Sequence, residues 1–269
     1  MRNGRATITS GIFLTALVIG GCTPPAKNPK AGPAPLQRAN TALAAKDYAA
    51  VTAAADEQIA AKENTSKSLA QAYYLKGRAV ESRPKPVPSA ASADLAAARA
   101  LYEQALAQKP PEPEESKIRS ALANVAYFQD DYTTALGNWN AAAKNLPTQE
   151  DRAWAMYRIG LSQQRLGRFD QANNTFEQVQ RTYPNSEQAR RAAERAGNKA
   201  FRVQVATFAT PTPADQVIQK LRARGLSPTR QSDLQGRSVV VIPELPTYQA
   251  AKDVRAKVVS DFPDALILP

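Results

Sequence analysis

Histidine is absent from all 269 residues, and cysteine occurs once, at Cys22. Without histidine the chain loses the commonest general base, the usual catalytic triads and dyads, and most zinc sites. A lone cysteine closes no internal disulfide, so an exported chain that carries one needs a separate reason for it. Glycine is scarce at 12 residues while alanine is abundant, a bias suited to helices that pack closely. Lysine and arginine outnumber the acids by 35 to 24, a net charge of +11, yet no long basic block appears. No motif groups metal ligands, a cofactor or catalytic carboxylates. The sequence is therefore read as a non-enzyme with no catalytic residues, no metal and no cofactor.

The length fits two modest domains, and 43% hydrophobic against 22% charged residues is enough for packed cores. The first stretch has three zones. Arg2 and Arg5 come first with no acid nearby, then the apolar run Gly11–Ile19, then Gly20-Gly21 just before Cys22. This is the grammar of an export signal. The apolar run is about half the roughly 20 residues that a spanning helix requires, which disfavours a permanent transmembrane anchor.

Ile19-Gly20-Gly21-Cys22 resembles the lipobox of bacterial lipoproteins. The resemblance implies cleavage of a signal peptide at residues 1–21 and acylation of the Cys22 thiol. Each buried methylene contributes about 0.8 kcal/mol and stable attachment takes two chains or more, so such an anchor is energetically sufficient. Thr23 stands where an Asp would favour inner-membrane retention. The expected place is the cell envelope, on the periplasmic face of the outer membrane. Residues 22–35 are Pro-rich and aperiodic and read as a tether.

Residues 36–195 read as four helical hairpins. In Trp154–Ser186, Gly160 is followed twelve residues later by Ala172 and twelve later again by Pro184. Ile159, Gly167, Phe169 and Phe176 fill the places between. This resembles a tetratricopeptide repeat (TPR), whose period is about 34 residues. Ala123, Ala135, Trp139 and Pro147 repeat the pattern upstream, and Gly77, Ala98, Tyr102 and Pro110 do so before that. Ala98, Ala135 and Ala172 stand at two equal intervals. Leu36–Ala61, with Asp47-Tyr48 at its turn, reads as a degenerate or capping repeat. Trp139, Trp154, Tyr157 and Phe176 are read as packing between helices. The insertion between Gly77 and Ala98 contains Pro84, Pro86 and Pro88, which forbid a continuous helix. It also contains Ser82 and Lys85 at S-x-x-K spacing, but Pro84 opposes the helical turn that would bring the two together.

After Lys199 the period changes from 3.6 to 2. Phe201–Phe208 alternates, with Phe201, Val203 and Val205 on one side and Arg202 and Gln204 on the other. Helical spacing follows over Thr212–Arg224. Leu226–Ser232 and Ser238–Ile242 read as strands, Tyr248–Val259 as a helix and Asp264–Leu268 as a last strand. FRVQVATF and the run from Arg237 through Pro246 resemble the SPOR (sporulation-related repeat) domain over residues 200–269. Ala206, Ile242 and Leu245 depart from the family's two glycines and second aromatic.

The fold class expected is thus an α-helical TPR solenoid followed by a small α+β (βαββαβ, ferredoxin/RNP-like) SPOR-type domain. The resemblance implies peptidoglycan binding, with denuded glycan as partner and a role connected with cell division. Gln204, Thr207, Phe208, Arg237 and Val240 are the candidate glycan-binding residues, and Cys22 is the lipidation site. A TPR groove implies a protein partner, and the lipid on Cys22 implies a membrane. The same βαββαβ order describes RNA-recognition domains, but Gly236–Pro243 lacks their aromatics, so no nucleic acid is expected. An alternative stays open, an outer-membrane protein-assembly or Tol–Pal-associated TPR lipoprotein with no glycan binding. A wall-cleaving enzyme would need paired carboxylates, and no motif groups the acids here.

Overall fold

The structure is a computed structural model and describes residues 34–85 and 87–269. The expected signal peptide, Cys22 and nearly all of the expected tether lie outside the described residues. The helical part comprises α1 (Pro35–Ala44), α2 (Tyr48–Ala60), α3 (Ser66–Ser82), α4 (Pro88–Ala107), α5 (Glu114–Phe128), α6 (Tyr132–Ala142), α7 (Gln149–Arg165), α8 (Phe169–Thr182) and α9 (Glu187–Arg195). Each helix packs on its successor, so the arm is a stack of antiparallel hairpins ended by α9.

Local chemistry starts these helices where they start. The Asp47, Asp131, Thr148 and Ser186 side chains each accept a backbone N–H three residues on, at 3.0–3.1 Å. Thr65 and Ser68 form a reciprocal capping box at the head of α3. Each such cap contributes about 1 kcal/mol. Pro84 follows the end of α3 at Ser82, and Pro88 stands in the first turn of α4, where a missing N–H costs nothing. Lys85 donates to the carbonyls of Glu81 and Arg83, so its ammonium caps α3.

One contact recurs between paired helices. A methyl built on Gly77 would lie 2.5 Å from Tyr102, and one on Gly160 would lie 2.5 Å from Phe176. In each case the ring of the second helix fills the place of the missing side chain. Both rings are fully buried. The middle hairpin has Ala123 at this position, and its ring, Trp139, shares a core cluster with it.

The C-terminal module comprises β1 (Phe201–Phe208), α10 (Pro211–Arg222), β2 (Thr229–Ser232), β3 (Ser238–Leu245), α11 (Tyr248–Val258) and β4 (Leu266–Leu268). The strands form one antiparallel sheet in the order β2-β3-β1-β4. Both helices pack on one face, around Phe201, Val203, Val205, Ile218, Leu221, Val240, Ile242 and Val258. Fully burying a side chain of this size contributes about 1.5–3 kcal/mol.

β3 runs past Ile242, the expected end, to Leu245. Pro243 is tolerated because an irregularity lies there: Phe201 pairs with Leu245 but Val203 with Ile242, and Glu244 takes a φ of 61°. β1 has an irregularity of its own between Gln204 and Ala206.

The arm and the module share an apolar junction. Phe169 of α8 belongs to the module's core, its ring 5.3 Å from that of Phe201 in an edge arrangement. Tyr132 of α6 meets Tyr248 of α11 at 6.1 Å. Lys252 of α11 pairs with Asp130 at the α5–α6 turn.

Candidate functional site

The sheet has one face under the helices and one free of them. Register decides which side chains share the free face. On β3, Val240 and Ile242 point into the helix-covered core, so Val239 and Val241 point the other way. Val241 lies between Thr229 of β2 and Gln204 of β1, and Val239 lies between Gln231 and Thr207. Gln204 is also opposite Leu266 of β4. The free face is therefore a floor of two buried valines, edged by Thr229, Gln231, Gln204 and Thr207, with the half-exposed Leu266 beyond.

The β1 irregularity brings Gln204 and Thr207 together. Three residues apart, they would fall on opposite sides of a regular strand. The extra residue at Val205 restores them to one side, where Gln204 Nε2 lies 3.4 Å from Thr207 Oγ1.

Two expectations are corrected here, the first by the same slip. Simple alternation puts Phe208 on the side of Gln204, but beyond the slip Phe208 turns to the helix side and packs against the core. Val240 is fully buried in that core and has no surface to offer a ligand. Neither belongs to the free face. Arg237 stands at the β2–β3 hairpin. Its Nε donates to Asp233 Oδ2 at 2.7 Å, and the same carboxylate accepts the backbone N–H groups of Gln235 and Arg237. The Asp233 carboxyl, raised by burial but held down more strongly by those bonds and the Arg237 charge, lies below the usual carboxylate range. Arg237 thus organises the turn.

The free face offers amides, hydroxyls, short aliphatic groups and the exposed Arg202, which shares the Gln204 side of β1, and no aromatic ring. Such a surface can hydrogen-bond hydroxyls and N-acetyl groups and can cover apolar C–H faces. Thr229, Gln231 and Leu266 are members that sequence reasoning missed. Their only signal is alternation within short strands, and alternation without register does not say which side is free. Among the described residues no group of three acids or cysteines could hold a metal ion, and no helix is long and apolar enough to cross a membrane.

Residues 154–186 match the tetratricopeptide repeat family model, and residues 197–269 match that of the SPOR domain. No curated protein matches the chain. Similar solved structures include YrrB, a TPR protein with an unusual peptide-binding site, at 18% identity over 60% of this chain and 82% of that one, with a TM-score of 0.44. A mutant of MamA is similar at 17% identity over 59% of this chain and 76% of that one, TM-score 0.43. Another MamA structure is similar at 16% identity over 60% and 86%, TM-score 0.44.

Proposed function

We propose that this chain, with its tetratricopeptide repeat and C-terminal SPOR domain, is a non-enzymatic tether of the cell envelope. The module at 200–269 holds denuded glycan strands of peptidoglycan on its helix-free sheet face. The arm at 36–195 recruits a protein partner. Acyl chains on Cys22 hold the other end in a membrane, at the periplasmic face of the outer membrane. SPOR and TPR modules bind peptidoglycan and proteins respectively and are not catalytic in themselves.

One observation carries the glycan part. The valine floor with Gln204 and Thr207 on one side is a shallow polar strip beside aliphatic groups, the chemistry a saccharide presents. Without an aromatic to stack on, each sugar contact is weak. Anchoring makes weak contacts sufficient, because a second site held near its ligand acts at millimolar effective concentration.

The test is co-sedimentation of the full chain with purified sacculi, intact and stripped of stem peptides. Enrichment on stripped sacculi is expected, with a clear loss in the Gln204→Ala/Thr207→Ala double variant. The Arg237→Ala variant is expected to keep its binding. A chain that stays in the supernatant while a wall-binding control sediments overturns the glycan reading. Mass spectrometry of the protein from its host tests the anchor separately, and an uncleaved, unmodified N-terminus removes it.

A further inference from the structure

The irregularity at the start of β1 adds its extra residue to β3 and leaves β1 itself regular there. Phe201 and Val203 point into the core, so Arg202 and Gln204 point the other way. The β4 register agrees, with Arg202 opposite Leu268 and Gln204 opposite Leu266. Next neighbours on one side of a strand stand about 7 Å apart. Arg202 is exposed, and it is the only charged side chain among those paired in register on the free face.

Other arginines of the module are held by carboxylates. Arg230 lies in register with the core residue Val240, on the helix side of β2, and pairs with Asp215 of α10. Arg224 pairs with Asp261, and Arg237 with Asp233. Arg202 makes no hydrogen bond, ion pair or ring contact among the described residues. Glu244 stands in the irregular stretch of β3 opposite it, but no ion pair joins the two. A solvated arginine is ordinary on a surface. This one is particular for its place, beside the Gln204–Thr207 pair on a face that is otherwise neutral and carries no ring. A neutral sugar offers such a cation no charge to meet.

Stripped glycan does offer one. In the intact wall an amide joins the lactyl group of each muramyl ring to its stem peptide. Removing the stem hydrolyses that amide. Water is taken up, the amine leaves with the peptide, and a carboxylate stays on the sugar. A guanidinium receives a carboxylate through two parallel N–H···O bonds, a pairing that an amide with its single carbonyl oxygen does not form.

We infer that Arg202 receives the lactyl carboxylate of a stripped muramyl residue whose ring lies against Gln204 and Thr207, and so selects stripped strands by charge. The inference rests on the glycan reading of this face and adds the group that discriminates.

The test is co-sedimentation of the full chain with two preparations of stripped sacculi, one untreated and one with its carboxylates converted to methylamides by carbodiimide and methylamine. Methylamidation removes the charge without restoring the bulk of a stem peptide. The parent chain is expected to bind the untreated preparation about tenfold more tightly, the effect of one charged hydrogen bond. Arg202→Gln should bind the two preparations alike, and Arg202→Lys should keep part of the preference. Arg222→Gln removes an exposed cation of α10, on the helix side of the sheet, and should keep the preference whole. Because Arg202 is exposed, the melting curve of Arg202→Gln should match that of the parent. Equal binding of the two preparations by the parent chain overturns the inference and leaves the glycan reading standing. So does a preference that survives in Arg202→Gln, or one that Arg222→Gln loses equally, which would mark bulk charge. A chain that sediments with neither preparation, while a wall-binding control does, overturns the glycan reading and this inference with it.

Discussion

The guanidinium carbon of Arg165 lies 3.4 Å from the centre of the Tyr248 ring. Arg165 ends α7 in the arm, and Tyr248 begins α11 in the module. The same guanidinium is 5.9 Å from the Phe201 ring, and its Nε donates to the Tyr127 hydroxyl at 3.2 Å. Burial lowers the tendency of Arg165 to hold its proton, and the surrounding tyrosine hydroxyls more than restore it. The arm and the module are thus joined by one charged side chain wrapped in rings from both. A cation held over a desolvated aromatic face contributes about 2 kcal/mol.

Removing that side chain should loosen the junction before it unfolds either part. Arg165→Ala is expected to lower the melting temperature by several degrees, since about 1 kcal/mol shifts a chain of this size by about 2–4 °C. Cleavage near Lys199 under limited trypsin should become faster. Arg165→Lys should rescue only in part, because an ammonium lacks the planar fork that stacks and bonds at once. A melting curve unchanged in Arg165→Ala would show that the junction is held elsewhere.

Gly167, two residues beyond Arg165, touches the same junction. Its φ is +78°, and a methyl there would lie 2.5 Å from the Pro246 carbonyl oxygen. Gly197 has a φ of +82° with nothing within 4 Å. Both alanine substitutions carry the left-handed backbone cost of roughly 1–2 kcal/mol. Only Gly167→Ala adds the collision. The difference between the two melting curves therefore measures the Pro246 contact, with Gly167→Ala expected to be the less stable. Equal destabilisation would mean that the contact relaxes at no cost.

The arm was more legible in the sequence than the sheet, for a physical reason. Gly77, Ala123 and Gly160 with Tyr102, Trp139 and Phe176 are pairs within single hairpins, so their spacing reports the contact directly. Sheet facing depends on register, and register depends on irregularities. The slip at Val205 turned Phe208 and Thr207 against the simple period of two, and Val240 could not be told from Val241 within a run of valines. Simple alternation puts Gln204 and Thr207 on opposite sides of β1, and only the slip brings them to one face. The junction left no mark in either module, because Phe169 and Phe201 fit their own repeat and strand equally well without each other.

The junction should respond to acid. Burial raises the Asp130 carboxyl, but hydrogen bonds from Lys252 and Tyr132 and the charges of Lys252 and Arg165 outweigh it, leaving Asp130 below the usual carboxylate range. A carboxyl depressed in the folded state stabilises at pH values above its unfolded pKa, near 4. That contribution is fully present at neutral pH and fades as pH falls from about 4 through the lower folded value. Unfolding followed from pH 7 to pH 3 should show a steeper acid loss in the parent chain than in Asp130→Asn. The pair is partly exposed, so added salt should flatten the difference. Parallel curves would exclude Asp130 as a contributor.

The glycine-to-ring contact gives the sharpest test of the arm's construction. Gly160 leaves room for Phe176, whose Cε1 would stand 2.5 Å from an added methyl. Gly160→Ala forces the ring to shift inside a core where Phe176 is fully buried, an overpacking cost of about 1–3 kcal/mol. Phe176→Leu alone leaves a void and also destabilises. Combined, the smaller side chain makes way for the methyl, so the double variant should be more stable than the sum of the single effects predicts. A coupling of about 0.5–3 kcal/mol is the range for residues in direct contact. The middle hairpin shows that an alanine is accommodated when the opposing ring sits less deeply, as Ala123 does opposite Trp139. Simple additivity in the double-mutant cycle would mean that the two positions do not compete for one space, and the packing scheme of the arm would have to be redrawn.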